Sequence, residues 1–192
     1  MKRIAIFASG SGTNFEALVN ETYKNEKIVL LVCDKPNAYV IERAKNHNIN
    51  YFVVELKKFE NKEAYETAIV NKLKEEKIDL VLLAGYMKIV DKVLLDAYEG
   101  RIINIHPALL PSFKGAHGIK DAYDYGVKIM GVTIHYVNKE VDGGKIIAQD
   151  AFHLTNETLD EAEAIIHSIE HKLYPETLKK LLEEKWKKWK EH

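Results

Sequence analysis

Two polar side chains, Asn104 and His106, interrupt the otherwise apolar run Arg101-Ile-Ile-Asn-Ile-His-Pro107. In a strand, residues two apart share a face, so the amide and the imidazole point one way while Ile103 and Ile105 point the other. Such a pair offers donors to an oxygen gaining negative charge, and one group able to carry a proton near neutral pH. Asparagine is depleted in strands and costs free energy when buried unpaired, and Pro107 ends the strand, so both groups belong at its carboxyl end. In open α/β sheets that edge binds ligands. The competing reading is a capped strand end with a satisfied core histidine.

A second constellation is Ser9-Gly10-Ser11-Gly12-Thr13-Asn14. It follows one apolar run and opens a helical pattern, a setting in which backbone N–H groups converge on a phosphate. A P-loop would need Gly-Lys-Ser/Thr after four intervening residues, and a dinucleotide fingerprint a third small residue where Phe15 stands. Asp34, at the end of the second apolar run, keeps the dinucleotide reading alive, and a plain strand-to-helix turn capped by Thr13 or Asn14 is the structural alternative. Asp142-Gly143-Gly144 taken alone is a hairpin turn.

His106, His117 and His135 could be metal ligands by residue type. No His-Glu-x-x-His, cysteine pair or other short-range ligand couple accompanies them, so no metal is expected. Cys33, the single cysteine, lies in the apolar run 29–33 and reads as a buried structural thiol in a reducing, cytoplasmic setting.

The elements that must position these residues follow from periodicity. Strands are predicted over 3–8, 28–33, 50–55, 80–84 and 101–105, and helices over 14–23, 39–46, 62–76 and 91–97. Continuous apolar strands separated by helices imply a doubly wound, mostly parallel sheet covered on both faces. The segments 128–137 and 145–152 then read as an antiparallel pair joined around Asp142-Gly143-Gly144. From Thr158 the pattern is helical, broken at Pro175, with Leu178, Leu181, Leu182, Trp186 and Trp189 forming one apolar stripe.

The 192 residues suit one domain, without repeats or linkers. A formal net charge of -1 provides no field to gather nucleic acid or an anionic membrane, so an anionic ligand must be met by local groups. No run approaches the ~18 apolar residues of a membrane span. Only Arg3, Arg43 and Arg101 are arginine. Neither composition nor patterning chooses between a monomer and a homodimer.

Taken together, the amino-terminal loop, Leu83-Ala-Gly-Tyr-Met-Lys-Ile-Val90, Asn104-Ile-His-Pro-Ala-Leu-Leu-Pro111 and Val141-Asp-Gly-Gly144 resemble the phosphoribosylglycinamide formyltransferase family, nearly end to end. The third motif is shared by folate-dependent formyltransferases and hydrolases generally; the amino-terminal loop narrows the acceptor. The resemblance implies a Rossmann-like single domain over 1–192, with a phosphate-binding half over about 1–100 and a folate and catalytic half over about 80–192. A long terminal helix follows the antiparallel pair.

It further implies transfer of the formyl group of 10-formyltetrahydrofolate, a co-substrate, to the glycyl amine of 5-phosphoribosylglycinamide. Asn104, His106 and Asp142 would be catalytic. Gly12, Thr13 and Asn14 would hold the acceptor's phosphate and Glu170 its ribose hydroxyls, with His167 nearby. Lys62, Met87, Lys88, Ile89 and Val90, together with Asn104, Asn138, Lys139, Glu140, Val141 and Asp142, would meet the folate. Lys62 and Lys88 stand where the family usually has arginine, and lysine keeps the charge while losing the bidentate fork.

Overall fold

The structure, a computed structural model, describes residues 1–189, with side chains through residue 183. Seven strands form one sheet: β1 (Lys2–Ala8), β2 (Glu26–Cys33), β3 (Asn50–Val53), β4 (Leu80–Leu83), β5 (Ile102–His106), β6 (Ile129–Tyr136) and β7 (Ile146–His153). Their order is β3-β2-β1-β4-β5-β6-β7. The first five pair in parallel; β6 runs antiparallel to both β5 and β7.

Alternation within β1 explains why both faces are covered. Ile4, Ile6 and Ala8 pack into a cluster with Phe15, Leu18, Val40, Ile119, Ile166 and Leu178. Those residues come from α1 (Thr13–Val19), α2 (Val40–Asn46), α5 (Gly118–Tyr125) and α6 (Leu159–Trp189). Ala5 and Phe7 face the opposite cluster, with Tyr65, Ile69, Leu73 and Leu94 of α3 (Lys62–Glu75) and α4 (Lys92–Ala97). Phe15 is fully buried. Where a dinucleotide loop needs a small residue, this chain gains about 1.5–3 kcal/mol from burying a large one.

Several boundaries differ from the sequence expectation. α1 stops at Val19 rather than running to Tyr23, whose hydroxyl instead donates to the Leu18 carbonyl at 3.0 Å. β3 ends at Val53, and Glu55 leads into a 3₁₀ turn, Leu56–Lys58. β6 and β7 are joined by a loop over 137–145, longer than a tight Asp-Gly hairpin, in which Gly143 N–H donates to the Glu140 carbonyl at 3.0 Å. α5 was not anticipated.

The helical segment is not broken at Pro175, which lies inside α6. An internal proline costs about 3 kcal/mol, since it removes one backbone hydrogen bond and crowds the preceding turn. Burial on either side of it offsets that cost. Tyr174 and Leu178 are each 1% exposed, and the Tyr174 hydroxyl, 3.1 Å from the carbonyls of both Leu83 and Ile103, donates into that pair. Leu181 and Leu182 continue the predicted stripe as partly buried residues; the side chains of Trp186 and Trp189 lie outside those described. No helix among the described residues is long and apolar enough to cross a membrane.

Candidate active site

The chain leaves β1 toward β2 and β3, then crosses back to β4 on the other side of β1. The carboxyl ends of β1 and β4 therefore flank the point where the sheet's winding reverses, the usual crevice of such folds. Ser9 binds the two loops there together. Its N–H donates to the Gly85 carbonyl at 3.1 Å, and its hydroxyl accepts from Met87 N–H at 2.8 Å.

On the β1 side the glycine loop turns into α1 through Gly12, whose φ of 76° lies in the left-handed region. No side chain caps this helix end, so neither Thr13 nor Asn14 acts as the cap, and the first-turn N–H groups have no helical partner. Thr13 is exposed and Asn14 nine-tenths buried. Asn14 Nδ2 donates to Glu170 Oε2 at 3.2 Å, and His167 Nδ1 donates to the same oxygen at 2.8 Å. Four residues of α1 and α6 thus meet here, because His171 joins them: its ring stacks on His167 with centroids 6.4 Å apart.

His171 Nε2 and Asn14 Oδ1 are buried without a hydrogen-bond partner among the described residues. Orphaned polar atoms beside an uncapped loop are what a polar ligand would satisfy. The hydrogen bond to Glu170 raises the His167 pKa against the opposing effect of burial. Burial lowers that of His171. Sequence reasoning missed His171, although its position next to Glu170 was a usable signal.

At the end of β5, Asn104 is half-buried and His106 only 4% exposed. Asn104 pairs across the sheet with His135 of β6, and His106 with Thr133. The Asn104 amide lies 3.1 Å from His135 Nε2, while His135 Nδ1 donates to the Tyr136 carbonyl at 2.9 Å. Asp142, predicted only by resemblance to join them, does so: its carboxylate is 3.5 Å from both His106 Nδ1 and His135 Nε2. Gly115 N–H donates to it at 2.8 Å. Burial pushes the Asp142 carboxyl pKa up, but hydrogen bonds from His135 and Gly115 and the nearby imidazoles outweigh this, leaving it lowered.

His106 Nε2 donates to the Phe113 carbonyl at 2.8 Å. Phe113 has a φ of 53°, uncommon for a bulky residue, and this aims its carbonyl back at the ring. The turn carrying Phe113 is fixed by Thr133. The Thr133 hydroxyl donates to the Ala108 carbonyl at 2.7 Å and accepts from Leu110 N–H at 3.0 Å. Phe113 and Gly115 were invisible as site residues in the sequence, and His135 stood there only as a candidate metal ligand by type. His117, a candidate metal ligand by type, is exposed at the start of α5.

The predicted folate walls follow β4 and β6, the two neighbours of β5. Met87 is 60%, Ile89 63% and Val141 48% exposed, whereas Val90 is buried. Large apolar side chains left open beside a polar cluster suit a flat, partly apolar ligand. Lys88 reaches back to Asp34 at 3.7 Å. The Asp34 side chain is 1% exposed, and neither of its carboxylate oxygens has a hydrogen-bond partner among the described residues. Lys62 pairs with Asp91 at 3.3 Å at the start of α3. Asn138 shapes its own loop, accepting from Glu140 N–H at 3.0 Å. Glu140 pairs with Lys114 at 2.5 Å, and Lys139 is exposed.

Comparison with known proteins adds an independent line. The family model described as formyl transferase matches residues 2–178. A phosphoribosylglycinamide formyltransferase of Bacillus subtilis (strain 168) is 48% identical over 186 residues, 95% of each chain. A trifunctional purine biosynthetic protein adenosine-3 of Gallus gallus is 38% identical over 183 residues, 92% of this chain and 18% of that protein. The crystal structure of phosphoribosylglycinamide formyltransferase from Bacillus halodurans superposes with a TM-score of 0.92 at 51% identity, covering 94% of this chain and 95% of the other.

Proposed function

We propose, from the premise that this chain belongs to the formyl transferase family, that it moves the formyl group of 10-formyltetrahydrofolate to the glycyl amine of 5-phosphoribosylglycinamide. The products are the formylglycinamide ribonucleotide and tetrahydrofolate, a step of purine biosynthesis. The observation that carries the reading is the meeting of Asn104, His106 and Asp142 at the carboxyl end of β5, with Asn104 joined to Asp142 through His135. It lies one strand from the crevice where the glycine loop begins.

Gly12, Thr13 and Asn14 take the acceptor's phosphate, and Glu170, His167 and His171 line its sugar side. Met87, Ile89, Val90 and Val141 receive the folate's rings, with Lys62, Lys88, Asn138, Lys139 and Glu140 at the margins. One domain over 1–192 houses both subsites, and the buried thiol of Cys33 suits a reducing cytoplasm.

An α-amino group has a reference pKa of about 7.7–8.0, so a useful fraction of the acceptor amine is neutral at pH 7 without a strong base. Its lone pair attacks the formyl carbon, a C–N bond forms, and the carbonyl π electrons move onto oxygen. The Asn104 amide and a protonated His106 stabilise that oxyanion. Asp142, 3.5 Å from the imidazole, relays the proton lost by the amine toward the departing folate nitrogen. Collapse of the tetrahedral centre then breaks the bond to that nitrogen. The transfer is direct, with no covalent enzyme intermediate.

Mixing the protein with formyl folate and the ribonucleotide acceptor tests this: the absorbance of the folate should change only when all three are present. Acceptor binding without turnover would favour a non-catalytic phosphosugar-binding module instead.

A further inference from the structure

Something must turn the N–H groups of the glycine loop toward a ligand, and α2 is packed against the loop's other side. The Gly10 carbonyl accepts from Val40 N–H at 3.1 Å, and the Ser11 carbonyl accepts from Arg43 Nε at 2.9 Å. A trans peptide holds its C=O and the following N–H antiparallel. Anchoring these two carbonyls on α2 therefore directs the N–H groups of Ser11 and Gly12 away from it. Gly12 presses so closely on α2 that a Cβ there would stand 2.4 Å from Val40 Cγ2. The orphaned, nine-tenths buried Asn14 Oδ1 belongs to the same turn and marks independently that it awaits a polar ligand.

Arg43 does more than hold Ser11. Its Nη1 donates to Glu16 Oε2 at 3.1 Å, and its guanidinium lies 5.1 Å from the centre of the Tyr39 ring. Glu16 also meets His47 Nε2 at 2.8 Å. A free carboxylate just beyond the loop would oppose a phosphate, so two basic groups are spent on one acid. Only a planar fork bonds Ser11 and Glu16 at once in fixed directions; a lysine ammonium is a point charge on a flexible stem.

We propose that Arg43 is a positioning residue for the phosphate loop, holding the Ser11 peptide so that the loop selects a phosphomonoester acceptor over the same molecule without its phosphate. This rests on the acceptor assignment above. Arg43→Met and Arg43→Lys would be assayed with the ribonucleotide acceptor and with its dephosphorylated riboside, separating kcat from KM. Arg43→Met should raise the ribonucleotide KM about tenfold or more, the scale of a lost charge-assisted hydrogen bond. The formyl-donor KM should stay put, and the preference for the phosphorylated acceptor should shrink by the same factor. Arg43→Lys should move the same way by less, and decides the matter alone if Arg43→Met does not fold.

Adding Glu16→Gln to Arg43→Met separates positioning from charge relief. Recovery of the wild-type KM in the double variant would overturn the positioning role, as would an unchanged ribonucleotide KM in folded Arg43→Met. Calorimetric binding of inorganic phosphate to wild type and Arg43→Met distinguishes this proposal from its premise. Phosphate bound tightly by wild type and weakly by the variant supports Arg43 even if no formyl group is transferred; equal affinity counts against it.

Discussion

Asn104 and His135 face each other across the β5–β6 pair, with the amide nitrogen 3.1 Å from a ring whose other nitrogen is committed to the Tyr136 carbonyl. The same His135 Nε2 lies 3.5 Å from the Asp142 carboxylate, so one ring position orients both the Asn104 amide and Asp142. A residue that orients an oxyanion donor should act on turnover rather than on binding. His135→Leu should therefore lower kcat about tenfold or more with little change in either KM. Its stability should fall by about 1–3 kcal/mol, since Asn104 and Asp142 each lose a buried partner. A kcat equal to wild type in the folded variant would remove His135 from this role.

Asp142 has a φ of 50°, a left-handed conformation that asparagine tolerates. Asp142→Asn should keep the loop and lower the thermal midpoint only slightly while cutting kcat roughly 10²-fold, the scale of a positioned acid–base group. The lowered carboxyl pKa also has a linkage consequence. A depressed folded-state pKa contributes stability that is present above the unfolded value of about 3.9 and is lost as pH falls through the folded one. Followed side by side, the stability gap between wild type and variant should be steady above that acidic window and close as pH falls through it.

Asn14→Asp places a second carboxylate against Glu170, to which the native amide donates, and against an incoming phosphate. Acceptor KM should rise about tenfold or more, and the thermal midpoint should drop, while folate affinity stays close to wild type. Equal losses for both ligands would contradict the assignment of the loop to the acceptor.

His167 titrates above its ordinary value because it is hydrogen-bonded to Glu170. A raised folded-state pKa contributes stability that is fully present below the unfolded value of about 6.5 and is lost as pH rises through the folded one. Its positive charge beside the phosphate subsite fades over the same interval, so acceptor affinity should decline as pH climbs past neutrality. In His167→Gln that decline should flatten, which a pH series of acceptor KM would reveal.

Gly118 opens α5, and a Cβ there would stand 3.0 Å from His106 Nε2. The same Cβ would stand 3.1 Å from the Phe113 carbonyl oxygen and 3.2 Å from Ala108 Cβ, so Gly118→Ala should lower the thermal midpoint somewhat. It should also lower kcat about tenfold, because the ring must shift from its Phe113 partner. Comparable turnover in the two proteins would mean that the His106 position is not stringent.

Asn104 and His106 were legible because the strand period of two puts both on one face at a strand-terminating proline, and a strand is a local object. Asp142 was legible only as a turn. Its approach to His106 depends on the loop over 137–145 folding back from β6, a geometry that the Asp-Gly signal misstates as a tight hairpin. His135 owes its role to register between β5 and β6, set by pairing across a sequence separation of 31, which no local pattern encodes. α5 begins at a glycine after a loop and is secured by packing Ile119 and Ala122 into the core, so propensity alone could not announce it. Pro175 misled in the opposite direction, since tertiary burial of Tyr174 and Leu178 outweighed a strong local breaker.

Helix α6 carries Glu170, His167 and His171, which meet Asn14 of α1, and four residues beyond Glu170 its Tyr174 hydroxyl bonds the Leu83 and Ile103 carbonyls of β4 and β5. On the proposed assignment, one helix spans from the acceptor's sugar to the two strands that carry the donor wall and the reacting pair. A polypeptide nicked in the exposed turn at Thr155 and Asn156 would surrender both functions together, and reassociation of its fragments would restore both. That coupling makes the turn a natural seam for a split-protein reporter in which recovered turnover is itself the signal that two fused partners have met.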